Sequence, residues 1–126
     1  VVDIGKASAS LTLKQVTELL GVTPRQVQYL RENRVVMPSV MKRGRGNACL
    51  YDEFDVLKTY IALVELKGFS LEVKTVLLNR LDENPRASSI TVKVGNYTKF
   101  SLEVWPLAIW LRAKINETVD LKSEEY

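Results

Sequence analysis

Six cations and a single acid stand between Gly21 and Asn47: Arg25, Arg31, Arg34, Lys42, Arg43 and Arg45 against Glu32. The chain as a whole carries 18 Lys and Arg against 15 Asp and Glu, a net +3, so this stretch at +5 exceeds the total and the remainder of the chain sums to −2. Cations placed among Gln26, Gln28, Tyr29 and Asn47 are donors for phosphate oxygens and base edges, the chemistry of polyanion binding. Other chemistries lack their residues. There is no histidine and one cysteine, Cys49, so a Ser-His-Asp triad, a Cys-His pair or a zinc site of the usual kind cannot be assembled. No glycine-rich phosphate loop or paired acid constellation is visible, and the expectation is a protein that is not an enzyme and uses no cofactor.

The elements that must position these residues can be read from apolar spacing. Thr12 is a plausible N-cap for a helix carrying Leu13, Val16, Leu19 and Leu20 at helical intervals, with Gly21 ending it in the left-handed region. Thr23 is the next N-cap and Pro24 fills the first helical position, where a missing N–H costs nothing. Val27 and Leu30 face inward from this second helix, leaving Arg25, Gln26, Gln28 and Tyr29 on or near its outer surface. Two short helices joined through Gly21-Val22-Thr23 make a helix-turn-helix. By itself the pair also occurs in all-α proteins that bind nothing.

The segment after the helix pair favours binding. Pro38 stops the second helix, and two short strand-like runs, Val40-Met41 and Ala48-Cys49-Leu50-Tyr51, flank Lys42-Arg43-Gly44-Arg45-Gly46-Asn47. This reads as a hairpin whose basic tip is either a solvated loop or a wing holding phosphates beside a groove. Asp52 caps a third helix with Phe54, Leu57, Ile61, Val64 and Glu65 in period and Gly68 at its end. Ser70 caps a fourth, with Leu71, Val73, Val76, Leu77, Leu78 and Leu81 apolar and Asn84-Pro85 closing it. Cys49, between Ala48 and Leu50, reads as a small buried hydrophobe in preference to a redox sensor.

Helix-turn-helix, glycine-rich wing, helix, Lys67-Gly68-Phe69-Ser70-Leu71-Glu72 and helix succeed one another in an order that resembles the MerR-type winged-helix DNA-binding domain. The matching residues are Leu13 to Leu20, Gly21-Val22-Thr23-Pro24-Arg25, Val27, Tyr29, Tyr51 and Asp55-Val56-Leu57, and the resemblance covers roughly residues 11–81. It implies a transcription regulator that docks its recognition helix in the major groove and its wings on the flanking backbone. This chain departs from the family pattern at Gln28 and Cys49, where arginine is usual, at Leu30, where an aromatic is usual, and at Arg34, where glycine is common.

Beyond residue 85 the pattern changes. Ile90, Val92 and Val94 alternate with polar residues, Gly95-Asn96 makes a turn, and Phe100, Leu102 and Val104 alternate on the way back, which gives a β-hairpin. Pro106 starts a last helix with Leu107, Trp110, Leu111 and Ile115 on one face, and residues 116–126 are expected to fray. The family's long dimerisation helix, with its heptads, is missing. Trp105, Ile109 and Trp110 exceed what the tail needs for its own core, so they form a dimer interface, pack on the winged helix, or line a ligand pocket.

The reading is a mainly α fold with small β: a winged helix-turn-helix of four helices and a β-hairpin wing, then a β-hairpin and a C-terminal helix. A flexible arm is expected over 1–10, the DNA-binding domain over 11–84 and a dimerisation element over 85–126. The leading function is a sequence-specific, cytoplasmic, nucleoid-associated transcriptional regulator that binds double-stranded DNA as a homodimer. Thr23, Arg25, Gln26, Gln28, Tyr29, Lys42, Arg43, Arg45 and Asn47 are its expected DNA-binding residues. The alternatives are a phage excisionase or packaging-type architectural protein, and a protein-interaction module of antitoxin or adaptor kind. No apolar run is long enough for a membrane span, and no signal peptide is visible.

Overall fold

The computed structural model describes residues 10–41, 49–93 and 95–124. The expected arm (1–10) lies almost wholly outside them, as does the basic tip. The first described element is a short strand, β1 (Leu11–Thr12), which sequence patterning missed because two residues hold no period. Helix α1 (Leu13–Leu20) starts on a capping box: the Gln15 N–H donates to Thr12 Oγ1 at 3.2 Å and the Thr12 N–H donates to Gln15 Oε1 at 2.9 Å. Gly21 ends it at φ 67°, and its N–H bonds the Thr17 carbonyl. Helix α2 (Pro24–Glu32) repeats the device with Thr23 and Gln26.

Strands β2 (Val40–Met41) and β3 (Cys49–Tyr51) pair antiparallel, Val40 opposite Leu50 and Met41 opposite Cys49. β1 adds on the other side, Leu11 opposite Tyr51, giving a three-stranded sheet in the order β1-β3-β2. Asp52 caps helix α3 (Glu53–Tyr60), which runs into a π-helical turn over Ile61–Glu65. There the Leu66 N–H reaches the Ile61 carbonyl at 2.8 Å, five residues back. The wide turn admits one extra residue and rotates the frame. A uniform 3.6-residue stripe puts Val64 and Glu65 inward; instead Val64 is 40% exposed, Glu65 is exposed, and Ile61, Ala62 and Leu66 are fully buried. Ser70 caps α4 (Leu71–Glu83), on which Leu77, Leu78 and Leu81 are buried while Val76, expected inside, is 41% exposed.

The tail forms the expected hairpin, β4 (Ser89–Lys93) and β5 (Lys99–Glu103), in register from Ser89 opposite Glu103 to Lys93 opposite Lys99. Two tail expectations are corrected. Val104 belongs to the last helix instead of the strand, and α5 runs from Val104 to Glu124 without fraying at residue 116. It starts before Pro106 because the Ser88 carbonyl accepts from the N–H groups of both Val104 (2.9 Å) and Trp105 (3.1 Å), and the third position is a proline with no N–H to satisfy. At 21 residues it is about 30 Å long.

One hydrophobic cluster runs through the whole arrangement. Val16 and Val27 of the helix pair, Tyr51 of the sheet, Leu77 and Leu81 of α4, Ile90 and Leu102 of the hairpin and Leu111 and Ile115 of α5 all belong to it. A two-stranded hairpin is marginal alone. This one is covered by α4 and α5, and Phe69 meets Phe100 edge-on at 5.2 Å. The fold is mainly helical, with five helices and two small antiparallel sheets among the described residues.

Candidate nucleic-acid interface

Thr23 fixes where α2 begins. Its Oγ1 accepts from the Gln26 N–H at 3.2 Å, and its own N–H donates to Gln26 Oε1 at 2.9 Å. The Gln26 carboxamide oxygen is therefore engaged in the cap. Arg25 and Gln26 are exposed, Tyr29 is 51% exposed and Gln28 is half-buried. Arg25 and Tyr29, four residues apart, share a face, and Gln28 comes three residues after Arg25. No acid occupies the first turn, so nothing there neutralises the positive end of the helix. Val27 and Leu30, at 2% and 1% exposure, anchor the opposite side.

The far end of α2 is tied to the sheet. Arg31 Nη1 donates to Cys49 Sγ at 3.1 Å, and Cys49 is buried. The neighbouring Tyr51 hydroxyl titrates above its ordinary value, chiefly because burial disfavours the phenolate, with Arg31 pulling the other way. Arg34 sits at φ 56°, a left-handed conformation that costs an L-residue about 1–2 kcal/mol.

A second tie lies at the foot of the β2–β3 hairpin. The buried Asp55 carboxylate accepts from the Ser39 N–H at 2.8 Å, from Ser39 Oγ and from the Asp52 N–H at 3.1 Å. Ser39 Oγ also reaches Asp52 Oδ2 at 2.7 Å. Burial pushes the Asp55 carboxyl above the usual carboxylate range, the Ser39 and Asp52 hydrogen bonds oppose this, and the Asp52 charge adds to it. The chain is thus bolted to the N-terminus of α3 one residue before β2 begins. The Asp52-x-x-Asp55 spacing signals the cap, but no local pattern points to Ser39. Lys42, Arg43, Arg45 and Asn47 lie outside the described residues.

In the tail the three residues singled out divide. Trp105 and Ile109, 56% and 53% exposed, line an apolar groove of about 570 Å³ with Phe54, Leu57 and Ala87. Trp110, 42% exposed, lies on the Tyr60 ring at 5.2 Å, and Lys114 Nζ stands 5.1 Å from the centre of the Trp110 ring. Beside them Arg112 grips Glu53 in a fork, Nε to Oε1 at 2.9 Å and Nη2 to Oε2 at 3.3 Å. This pair joins residues 59 positions apart and left no mark in the sequence.

A glycine-ended helix, a capped second helix with an exposed polar face and a small antiparallel sheet behind it define a helix-turn-helix regulatory domain. Residues 11–81 match the family model described as MerR HTH family regulatory protein. The chain belongs to that family, which makes a DNA-binding regulator its expected class. A comparison with curated proteins finds no match. Among the described residues no helix is long and apolar enough to cross a membrane.

Proposed function

We propose that this protein is a sequence-specific DNA-binding regulator of transcription that acts as a homodimer at the nucleoid. The observation that carries the reading is the outer face of α2: Arg25, Gln28 and Tyr29 stand on a firmly capped helix whose first turn holds no acid. Such a helix presents its N-terminal side chains to base edges in the major groove. Gln28 is suited to bond adenine bidentately; Gln26, with its oxygen held by Thr23, retains only its amide donors. Lys42, Arg43, Arg45 and Asn47 belong to the connection between β2 and β3 and would act as a wing on phosphates.

Dimerisation is assigned to α5. Trp105 and Ile109, four residues apart on one helix, leave apolar surface open beside the groove, a patch that a second copy can cover. A second copy covering Trp105 and Ile109 would pair two recognition helices on a palindromic site.

Footprinting on genomic fragments, with a solution mass measurement, tests the reading. Wild type should protect discrete sites, lose them on Arg25→Ala, and weaken across all sequences on Arg43→Ala/Arg45→Ala. Affinity should fall steeply with salt as counterions are released. Affinity that barely moves between low and moderate salt would refute the phosphate-wing role, and a monomeric mass would refute the homodimer.

A further inference from the structure

The β4–β5 hairpin carries its polar face outward, and that face is unusual in one respect. Lys93 stands directly opposite Lys99 in the register. Side chains so placed have Cβ atoms about 5 Å apart, and like charges in that position repel. Neither lysine has a salt bridge among the described residues. On the same face of the two strands the nearest acid is Glu103, four residues along β5, about 13 Å away at about 3.3 Å per residue. Between them lie hydroxyls: Thr91 Oγ1 and Ser101 Oγ share a hydrogen bond of 2.7 Å. Tyr97, in the turn, is fully exposed.

We infer that this outer face is a second phosphate-gripping surface, on which Lys93 and Lys99 hold the backbone of the DNA bound by α2. The inference rests on the DNA-binding reading above. Lysine, serine, threonine and tyrosine are side chains that contact phosphate oxygens, and an anion between two opposed ammonium groups turns their repulsion into a shared attraction. An acidic protein is a poorer fit: Ile90, Val92 and Leu102 are turned into the core, which leaves Tyr97 in the turn as the exposed aromatic beside this face, less apolar surface than the clustered anchors of a protein interface. The hairpin is also held firmly enough to position a strand of DNA. Phe100, next to Lys99, packs on Phe69 in the link between the π turn and α4, and β4 lies against α4.

The test uses the full chain, a DNA fragment that wild type footprints, and the double variant Lys93→Gln/Lys99→Gln. The slope of log affinity against log salt should become shallower by about 1.8, since two phosphates go ungripped and each contributes about 0.9. Affinity at low salt should fall tenfold or more without a change in the protected sequence. The thermal midpoint should hold or rise, because a repulsive pair has been removed. Lys93→Glu, which sets an acid opposite Lys99, should raise the midpoint further and weaken DNA binding more. An unchanged slope and affinity in a background where Arg25→Ala still abolishes binding would overturn the inference and leave the DNA-binding reading standing. Binding lost together with a lowered midpoint in both variants would overturn it too, since the lysines would then be supporting the hairpin. Absence of any Arg25-dependent footprint for wild type would sink both.

Discussion

Asp55→Ala removes the carboxylate that ties Ser39 to the start of α3. Among the described residues three hydrogen bonds end on this side chain, from the Ser39 N–H, Ser39 Oγ and the Asp52 N–H. Bonds to a charged acceptor contribute about 1.5–3 kcal/mol each, but the residue is only 4% exposed, and the carboxylate's own desolvation offsets much of that sum. A donor left without a partner costs about 1–3 kcal/mol. The expected net loss is about 2 kcal/mol, or about 8 °C in midpoint for a chain of this size. Urea unfolding at several pH values checks both size and sign. Burial raises the folded-state pKa of Asp55 above its unfolded value, so the native state binds this proton more tightly. The stabilisation from that proton is fully present below the unfolded pKa and is lost as pH rises through the raised one. Wild type should therefore gain on Asp55→Ala as pH falls, and the gap between them should widen on acidification. A loss under about 0.5 kcal/mol at neutral pH, below the range for even one bond, or a gap that narrows in acid, would refute the reasoning.

Three further substitutions probe separate parts of the fold. Gly21→Ala should lower stability by about 1–2 kcal/mol in urea titration; nothing lies within 4 Å of the added Cβ, so the cost comes from the backbone at φ 67°. Arg34→Gly should raise stability by about 0.5 kcal/mol, the relief of a left-handed arginine less the entropy a glycine loses on folding, read as a higher urea midpoint. Arg112→Met should cost about 1–2 kcal/mol by thermal unfolding, since it strands Glu53, whose side chain is 13% exposed. A double-mutant cycle with Glu53→Gln should recover most of that as coupling.

The caps were the most legible part of the sequence. Thr12, Thr23, Asp52 and Ser70 each declare a helix start through a side chain that reaches only three residues ahead, so the information is local. Gly21 declared a stop for the same reason. The apolar stripes were legible only while the helix kept its period: one π turn was enough to turn Val64 out and bring Leu66 in. The start of α5 depends on the Ser88 carbonyl, a backbone group with no sequence signature. In the candidate site, the polar face of α2 could be read from the spacing of Val27 and Leu30. The ties that hold it, Arg31 to Cys49 and Ser39 to Asp55, join residues 18 and 16 positions apart and depend on how the elements pack.

The Arg112–Glu53 fork has a consequence for a chain still being made. Synthesis runs from the N-terminus, so the helix pair, the sheet and α4 leave the ribosome well before Arg112 does. Over that interval Glu53 has no guanidinium to meet, and the groove beside Phe54 and Leu57 lacks the wall that α5 supplies. Unfinished chains expose apolar surface of the kind that chaperones hold and proteases attack. A product cut short before Val104 lacks Leu111 and Ile115 of the shared core and leaves that strip without its wall. The α5 helix therefore acts as a seal over the apolar strip beside Phe54 and Leu57.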